Sequence, residues 1–402
     1  MPEHAIPDHV PTELVFDFDY ATATAGRSDP HQAFMELDDR GAPDIFYTPA
    51  YGGHWIARRY RHVWQIFRDF DNFGQFPSLI PQSQGWVEPL IPVEVDPPLH
   101  TLARKALGPF LTPSAVNNLE LYVREVAREL VDSVADKKSC EFNAEFSRNF
   151  APAIFLKLFG MPTDTMREFQ GLVVKILSAG STSEEQIATG ERIFELINAL
   201  LDKKLAHPED DWSTKLVNLK NPDGTDMFTR RQLVNMGFLM FIAGLDTVAG
   251  TMVWTWRYLA EHPEVCDQLR EHPEEIPLAI EEMLRIYTVT VNVRVARHDL
   301  EFEGIKFKAG EQVLLLVPVA NRDPEQFPNA ETVDLKRENN LHMAFGAGLH
   351  RCAGSNLARI EIRVAIEEWL SRIPRFRIQE GAEITGRGGI GVFISSLPLE
   401  WD

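Results

Sequence analysis

The segment FGAGLHRCAG, residues 345–354, carries the densest chemistry in the chain. Gly346 and Gly348, two positions apart, allow the backbone to turn tightly and to approach another group closely. Cys352 comes just before a stretch with helical spacing, and the N-terminus of a helix favours the thiolate form of a cysteine. The segment therefore predicts a sulfur ligand presented on a glycine turn. Two alternatives stay open on these residues alone: a buried structural thiol, or a zinc site with His342 and His350, although the usual paired spacing of zinc ligands is missing.

Composition and net charge limit the class of protein to which this chain can belong. The chain has 402 residues, of which 44% are apolar, enough to bury a large core. It carries 40 Lys and Arg against 59 Asp and Glu, a net charge of −19, which opposes binding to nucleic acid or to an anionic membrane. Three cysteines are too few for a disulfide framework, and no basic segment followed by an apolar stretch begins the sequence. We expect a cytoplasmic protein that binds neither nucleic acid nor a membrane.

Hydrophobic periodicity predicts a mainly helical chain. Apolar residues recur every three or four positions from about Pro113 to Leu205, which is the pattern of amphipathic helices. The most apolar window, from Leu233 to Trp256, contains Asn235 and Asp246 and has no flanking positive loops. It therefore predicts the buried central helix of a soluble protein rather than a membrane span.

Local signals set the boundaries of the other elements. Thr229 and Gln232 have the spacing of a capping box, so the central helix is expected to start near Arg230 and to end before Pro263. A further helix is expected at 277–287. Alternating residues at 300–320 predict a small antiparallel meander, and short strands are expected near 45–58 and 390–400. No repeat or linker divides the chain, so we expect one domain over residues 1–402, mainly α with small antiparallel β-sheets.

The pattern F-G-x-G-x-H-x-C-x-G at 345–354 resembles the haem-binding signature of the cytochrome P450 family. The resemblance implies the cytochrome P450 fold and haem b, iron protoporphyrin IX, bound between the long central helix and the cysteine loop. It also implies that Cys352 is the axial thiolate ligand of the iron and that Phe345 contacts the haem.

A second match lies in the helix before the meander. Glu282 and Arg285 are three positions apart, so they share one helix face, and they resemble the E-x-x-R pair of the family. An exposed helix salt bridge is the alternative for an isolated pair of this kind. The family's usual third partner falls at Thr332 here, so the resemblance leaves Arg337 or backbone groups to complete a buried network.

A third match, AGLDT at 243–247, lies within the central helix and resembles the oxygen-binding groove and acid–alcohol pair of the family. It implies that Gly244, Asp246 and Thr247 are catalytic residues. A carboxylate in so apolar a window needs a reason to be there, and proton delivery supplies one. Taken singly, Gly244 is equally a packing glycine and Thr247 a helix threonine bonded to its own backbone.

Haem carries two propionates, which call for cationic and hydrogen-bonding partners. His100 and Arg104 share a helix face and resemble the family's H-x-x-x-R pair. Arg294 and His350 occupy the other matching positions. The alternative for either arginine is an ordinary solvated side chain.

Within the family the chain most resembles the soluble bacterial class that includes the camphor-hydroxylating monooxygenase. The stretches HVPTELVFDFD, GGHWIA, IPVEVDPP, AGLDTV and LPLEWD carry this likeness. Glu88 stands where that enzyme has a tyrosine that anchors the substrate ketone, so camphor is not expected. Residues 178–183, with few apolar anchors, are expected to form a mobile lid. The remaining positions that match substrate-contacting segments are Leu90, Val93, Leu239, Ile242, Ala243, Val289, Val291, Gly391 and Val392.

The resemblance and these apolar positions together predict a haem-thiolate monooxygenase that hydroxylates an unactivated C–H bond. The expected substrate is a small apolar molecule of terpenoid or norisoprenoid type, and O₂ is the oxidant. No flavin or nicotinamide motif is present, so a [2Fe–2S] ferredoxin with an NADH-dependent reductase is expected to supply electrons to a monomer, docking near Arg351, Arg359 and Arg363. The alternatives are a peroxide-driven peroxygenase and a non-catalytic haem or ligand-binding protein.

Overall fold

A computed structural model describes residues 6–81, 88–162, 165, 168–169, 171–172, 175, 183–387 and 391–402. The chain forms two compact units. The sheet unit comprises Met1–Gln82, Glu274–Cys352 and Gly381–Ser396, and the helix unit comprises Ser83–Pro273, Ala353–Glu380 and Leu397–Asp402. The predicted fold class, mainly α with small β-sheets, is confirmed. That the whole of 1–402 is one domain stays a prediction.

A five-stranded sheet with the order β1 (Ile45–Thr48), β2 (His54–Ala57), β8 (Gln312–Leu315), β5 (Asn292–Ala296) and β3 (Phe73–Gly74) organises the sheet unit. Strands β1 and β2, predicted at 45–58, pair antiparallel with Tyr47 opposite Trp55. The turn between them needs Gly53 at φ 95°, where a Cβ would collide with the Tyr47 hydroxyl. The strands of this unit are β1 (Ile45–Thr48), β2 (His54–Ala57), β3 (Phe73–Gly74), β5 (Asn292–Ala296), β6 (Leu300–Phe302), β7 (Ile305–Phe307), β8 (Gln312–Leu315), β10 (Gly386–Arg387) and β11 (Phe393–Ile394).

The meander predicted at 300–320 is only partly correct. Strands β6 and β7 form the expected hairpin, and its two turn residues, Glu303 and Gly304, both have positive φ, as a two-residue hairpin turn requires. Strand β8 leaves the meander and pairs parallel with β2 and antiparallel with β5. The residues that follow form a short helix, Val317–Ala320, because they are buried on every side instead of alternating.

The helix Tyr60–Arg68 packs against the large sheet, since its buried residues share one core cluster with those of the strands. The helix predicted at 277–287 is found one residue earlier, at Ile276–Ile286. Between Asn321 and Met343 the chain is irregular. The core of this unit includes Phe67, Met343 and Ala347, so the approach to the cysteine loop rests on packed apolar side chains. The helices are α1 (Tyr20–Ala23), α2 (Gln32–Asp39), α3 (Tyr60–Arg68), α13 (Ile276–Ile286) and α14 (Val317–Ala320).

The helix unit contains the amphipathic helices predicted from 113 to 205 and the apolar central segment. Its interior is aromatic, with ring centroids 4.8 Å apart for Phe142 and Trp256 and 5.8 Å apart for Trp256 and Trp369. Strand β12 (Pro398–Glu400) pairs with both β4 (Ser139–Glu141) and β9 (Arg377–Ile378). The helices are α4 (Leu99–Leu111), α5 (Pro113–Asn117), α6 (Glu120–Ala135), α7 (Arg148–Phe159), α8 (Ser183–Ala206), α9 (Trp212–Val217), α10 (Arg230–Leu245), α11 (Thr247–Glu261), α12 (Pro263–Glu271) and α15 (Ser355–Arg372).

The predicted central helix is interrupted. Its start is confirmed by a complete capping box, in which the Thr229 hydroxyl accepts from the Gln232 amide at 3.2 Å and the Gln232 side chain accepts from the Thr229 amide at 2.9 Å. At Asp246 the helical run breaks, and α11 begins at Thr247. By length and composition, Arg230–Glu261 could cross a membrane, but 61% of its most apolar window is buried inside the structure. This burial is typical of a core helix.

A buried carboxylate network holds the irregular stretch in the sheet unit. Glu282 and Arg285 are fully buried and form a two-bonded ion pair at 2.8 and 2.7 Å. Arg285 also donates to the carbonyls of Asn321, Ala330 and Thr332. Arg337, Asn340 and the Asp334 amide all donate to Glu282. Arg337 and backbone groups therefore complete the network that Thr332 leaves without a cationic partner, and the alternative of an exposed salt bridge is excluded.

We predict that Glu282→Gln lowers the free energy of unfolding by about 3 kcal/mol, because it leaves two buried guanidinium groups without their carboxylate. Glu281→Gln is the matched control, since Glu281 is partly exposed and pairs with a histidine, His342, at 3.1 Å rather than with a buried guanidinium group. Urea unfolding of both variants measures the difference. A loss for Glu282→Gln no larger than that for Glu281→Gln would contradict the structural role.

The same network predicts a pH dependence. Burial alone would raise the pKa of Glu282, but hydrogen bonds from Arg285, the Asp334 amide and Arg337 hold it below its ordinary value of 4.5. A carboxyl whose pKa is lowered on folding contributes stability above its unfolded pKa and loses it as the pH falls through the folded one. The stability difference between wild type and Glu282→Gln should therefore be constant near neutral pH and shrink below about pH 4.5.

Candidate active site

The residues expected at the site fall into two groups, one in each unit. In the sheet unit, the cysteine loop is a sequence of backbone turns. The Gly346 amide donates to the Met343 carbonyl at 2.8 Å, the Arg351 amide to the Gly348 carbonyl at 3.2 Å, and the Cys352 amide to the Phe345 carbonyl at 2.8 Å. The last bond closes the loop on itself. Main-chain bonds thus fix the loop that carries the Cys352 sulfur.

Both loop glycines are required by the geometry. Gly346 and Gly348 have φ values of 66° and 71°, which L-residues with side chains rarely adopt. A Cβ on Gly348 would lie 2.7 Å from the Phe67 carbonyl oxygen, and one on Gly346 would lie 3.6 Å from the Phe67 ring. The loop therefore packs directly on the end of α3. Phe67 is a site-supporting residue that the sequence pattern did not reveal.

The three cysteines differ sharply in environment. Burial raises the pKa of the Cys140 and Cys266 thiols to about 12. Cys352 is exposed. A metal ligand must be both deprotonated and accessible, so Cys352 is the cysteine suited to ligate iron, and the structural-thiol alternative does not hold. Among the described residues, no group of three or more His, Cys, Asp or Glu side chains could hold a metal ion, which removes support for zinc at His342, His350 and Cys352.

Three more expected haem contacts lie in the sheet unit. Arg294 is buried on β5, donates to the Val293 carbonyl at 2.8 Å and lies 4.9 Å from the Phe67 ring centroid. Phe345 and His350 are both half-buried in the cysteine loop. Phe67 thus contacts both the loop glycine and the buried guanidinium. One aromatic ring supports a candidate propionate partner and the candidate ligand loop together.

The expected propionate partners in the helix unit lie on α4, one turn apart. His100 is buried, and Arg104 is half-buried. Burial first, and then the positive charge of Arg104, lower the pKa of His100. His100 is therefore neutral at pH 7 and can donate one hydrogen bond without adding charge, while Arg104 supplies the cation. The pair matches the chemistry of a carboxylate such as a propionate.

The break between α10 and α11 places the expected catalytic residues at two helix ends. Asp246 has φ −109° and ψ −29°, and the Thr247 hydroxyl donates to the Ala243 carbonyl at 2.8 Å. A threonine bonded in this way competes for a helix carbonyl and often bends the helix. Gly244 has no room for a side chain, since its Cβ would lie 2.8 Å from the Phe155 ring. The structure thus shows the two non-catalytic roles that the sequence left open: Gly244 packs against Phe155, and the Thr247 hydroxyl is bonded to the backbone of its own helix.

Comparison with known proteins decides the family. Residues 181–383 match the family model described as Cytochrome P450. The chain is 35% identical to "Probable cytochrome P450 127A1" of Sinorhizobium fredii, over 98% of this chain and 97% of that protein. It is 32% identical to "Cytochrome P450-SU2" of Streptomyces griseolus over 77% of this chain and 76% of that protein.

The chain belongs to the cytochrome P450 family.

Solved structures agree. The crystal structure of CYP101C1 has a TM-score of 0.88 and 31% identity, covering 99% of this chain and all of that one. That of CYP101J2 has the same TM-score at 28% identity and covers 99% of each chain. This P450 therefore has the P450 fold, binds haem b and is a monooxygenase, as the sequence predicted.

The apolar residues expected to contact substrate differ in solvent exposure. In this P450, Leu90, Val93, Leu239 and Ile242 are half-buried and Ala243 is exposed, all in the helix unit. In the sheet unit, Val291 is half-buried and Val289 is buried, while the Val392 amide donates to the Val289 carbonyl at 2.8 Å. Gly391 is buried and forms an isolated antiparallel β-bridge with Thr290. Val392 is fully buried. That these residues contact substrate stays a prediction.

Glu88 has partners that the sequence did not predict. Its carboxylate accepts from the Arg231 guanidinium at 2.6 Å and from the Asn235 side-chain amide at 3.2 Å. The bond from Arg231 is the main cause that lowers the pKa of Glu88, so it is ionised at neutral pH. In the sequence, the only hint was that Arg231 and Asn235 lie one helical turn apart on α10 and so share a face. Their partner Glu88 lies 143 residues before Arg231, so only the fold shows that the three side chains meet.

Two other expectations concern the surroundings of the site. Of the three arginines expected to form a basic docking face, Arg363 is bonded to Glu120 at 2.6 Å and to Glu367 at 3.0 Å, so its charge is compensated. Arg351 is exposed, and Arg359 donates to the Ser355 carbonyl at 3.2 Å. The expected lid at 178–183 lies outside the described residues, apart from Ser183, where α8 begins.

We predict that Gly348→Ala lowers both the melting temperature and the fraction of protein that retains haem. The new methyl group must displace the Phe67 backbone, and the positive φ adds about 1–2 kcal/mol of strain. Gly304→Ala is the control, because Gly304 has a similar φ of 76° but no atom within 4 Å of the added Cβ. The ratio of Soret to protein absorbance measures haem retention. Equal haem content in the two variants would show that the loop does not depend on this close approach.

Proposed function

We propose that this P450 hydroxylates an unactivated C–H bond of a small, largely apolar substrate of terpenoid or norisoprenoid type, using O₂ and electrons from a [2Fe–2S] ferredoxin with its NADH-dependent reductase. The observation that carries the proposal is the exposed Cys352 thiol on a self-bonded loop, in a chain whose other two thiols are buried. The match to the cytochrome P450 family and fold also supports an oxidation reaction. The substrate class rests on the apolar residues of α10.

In this proposal Cys352 ligates the haem iron, and Arg104, His100, Arg294 and His350 hold the propionates. Bound haem supplies O₂ activation, which an electron-rich thiolate ligand promotes. Arginine suits this role because its planar donors match a carboxylate in a bidentate geometry. A neutral His100 beside Arg104 adds a donor without a second positive charge. Phe345 is assigned to contact with the ring.

Thr247 and Asp246 have separate roles in proton delivery. The Thr247 hydroxyl proton is used in the bond to the Ala243 carbonyl, so its oxygen can only accept a hydrogen bond. A water that donates to this oxygen is thereby oriented, with its second proton available for transfer. Asp246, half-buried at the helix break, is the group that can exchange protons with solvent and pass them on. Gly244 lets α10 pack tightly against Phe155 beside this point.

The substrate is proposed to lie along one face of α10. Leu239, Ile242 and Ala243 are spaced as i, i+3 and i+4, so they form one apolar face that keeps partial exposure. Leu90 is brought to the same helix by the bonds of Glu88, two residues before it. An apolar wall of this kind selects ligands by shape and desolvation. We assign Val93, Val289 and Val291 to the same role.

We also propose that the protein is a soluble, cytoplasmic monomer. The burial of the apolar central helices and the net charge of −19 support solubility. The ferredoxin is proposed to contact Arg351 and Arg359, whereas Arg363 is left out because it is already ion-paired.

Reconstitution of the holoenzyme with ferredoxin, reductase, NADH and a panel of monoterpenes tests the function. We expect product and NADH consumption that depend on added substrate, and little product with hydrogen peroxide alone. Full turnover with peroxide alone would identify a peroxygenase instead. Substrate binding with no NADH consumption across the panel would identify a ligand-binding protein.

We predict that Thr247→Ala and Asp246→Asn differ in this assay. Thr247→Ala removes the group that orients the water, so NADH consumption should continue while product per NADH falls and hydrogen peroxide appears. Asp246→Asn removes the proton relay and should slow NADH consumption roughly tenfold to a hundredfold.

Thr251→Ala is the matched control for Thr247→Ala. Thr251 is the next threonine along α11 and is bonded to the Thr247 carbonyl at 2.9 Å in the same manner. It should stay coupled. If all three variants keep the rate and product yield of the wild type, then protons enter by another route.

A further inference from the structure

Asn235 presents a buried acceptor that nothing in the described part of the chain satisfies. The residue is only 4% exposed, and its side-chain oxygen has no hydrogen-bond partner there. Buried polar atoms are nearly always bonded, because leaving one without a partner forfeits its hydration. An acceptor left without a partner by the described residues, within the apolar part of a helix, therefore calls for a donor from outside them.

The orientation of this amide is fixed by the ion pair beside it. The Asn235 nitrogen donates to Glu88 at 3.2 Å, and an ionised carboxylate can only accept. The reverse orientation would bring the amide oxygen against the carboxylate, so the oxygen must point away from Glu88. Arg231, which lies 4.3 Å from the Phe194 ring centroid, holds Glu88 in turn. Arg231 and Glu88 cancel each other's charge, and the acceptor left over is neutral.

The position of Asn235 places this acceptor at the end of the apolar face. Leu239 is four residues further along α10 and Ile242 seven, so the three side chains lie along one side of the helix. A molecule that packs along Leu239 and Ile242 would have one end next to Asn235. That end of the molecule must supply a hydrogen-bond donor.

We propose that Asn235 is a specificity-determining residue that accepts a hydrogen bond from a hydroxyl group of the substrate. The preferred substrate is then an alcohol with an apolar skeleton. A ketone on the same skeleton has only acceptors, so it leaves the Asn235 oxygen unsatisfied. This inference rests on the proposed function, because it refines the substrate class of the same site.

Binding of borneol and camphor to the ferric holoenzyme tests the proposal, because the two molecules share a skeleton and differ in a hydroxyl against a carbonyl. Calorimetric titration measures both dissociation constants. The wild type should bind borneol about tenfold more tightly than camphor, as expected for one hydrogen bond to a buried acceptor. Equal binding, or tighter binding of camphor, would overturn the proposal without any variant.

Asn235→Leu removes the acceptor and keeps the volume. It should weaken borneol binding about tenfold, change camphor binding little, and so abolish the preference. Asn218→Leu is the matched control, since the Asn218 side chain donates to a backbone carbonyl at 2.8 Å and should leave the preference intact. A preference that survives in Asn235→Leu would overturn the role of Asn235. These titrations measure binding and need no turnover. A failed monooxygenase assay would therefore count against the proposed function, whereas a failed selectivity test would count against the role of Asn235.

Discussion

A sulfur ligand has to be exposed to its metal and yet held in place, and a cysteine side chain cannot meet both demands alone. In this P450 the backbone meets the second demand. The amide of Cys352 is bonded within its own loop, and Gly348 lies so close to the Phe67 carbonyl that no side chain fits. The packed core below the loop, and the Glu282 network that anchors the preceding irregular stretch, both serve this arrangement.

The proposed mechanism also needs proton movement next to an apolar surface. The helix break at Asp246 places a carboxylate and, at Thr247, a hydroxyl side by side at two helix ends, where we propose that they do this. The bond from Thr247 to the Ala243 carbonyl leaves the hydroxyl oxygen as an acceptor only. The same helix carries the apolar face and, at its polar end, the Asn235 acceptor. In our proposals, proton delivery and substrate selectivity therefore depend on different turns of one segment.

Much of this could be predicted from the sequence, and the exceptions have physical reasons. Local signals were sufficient for the capping box at Thr229 and for the helix at 277–287, because neighbouring residues determine both. The cysteine loop was recognisable because its spacing is specific. The pairing of β8 with β2 could not be predicted, since the partner strand lies more than 250 residues away. The bonds of Glu88 to Arg231 and Asn235 and the support from Phe67 are non-local for the same reason, and only the fold brings those residues together.

The central claim is that Cys352 supplies the thiolate ligand of the haem iron. The most direct measurement is the absorption spectrum of the reduced holoenzyme under carbon monoxide, taken for wild type, for Cys352→Ser and for the double variant Cys140→Ser/Cys266→Ser. The account predicts the strongly red-shifted Soret band of a thiolate-ligated haem in the wild type and in the double variant, and its loss in Cys352→Ser. Survival of the band in Cys352→Ser, or its loss in the double variant alone, would contradict the account.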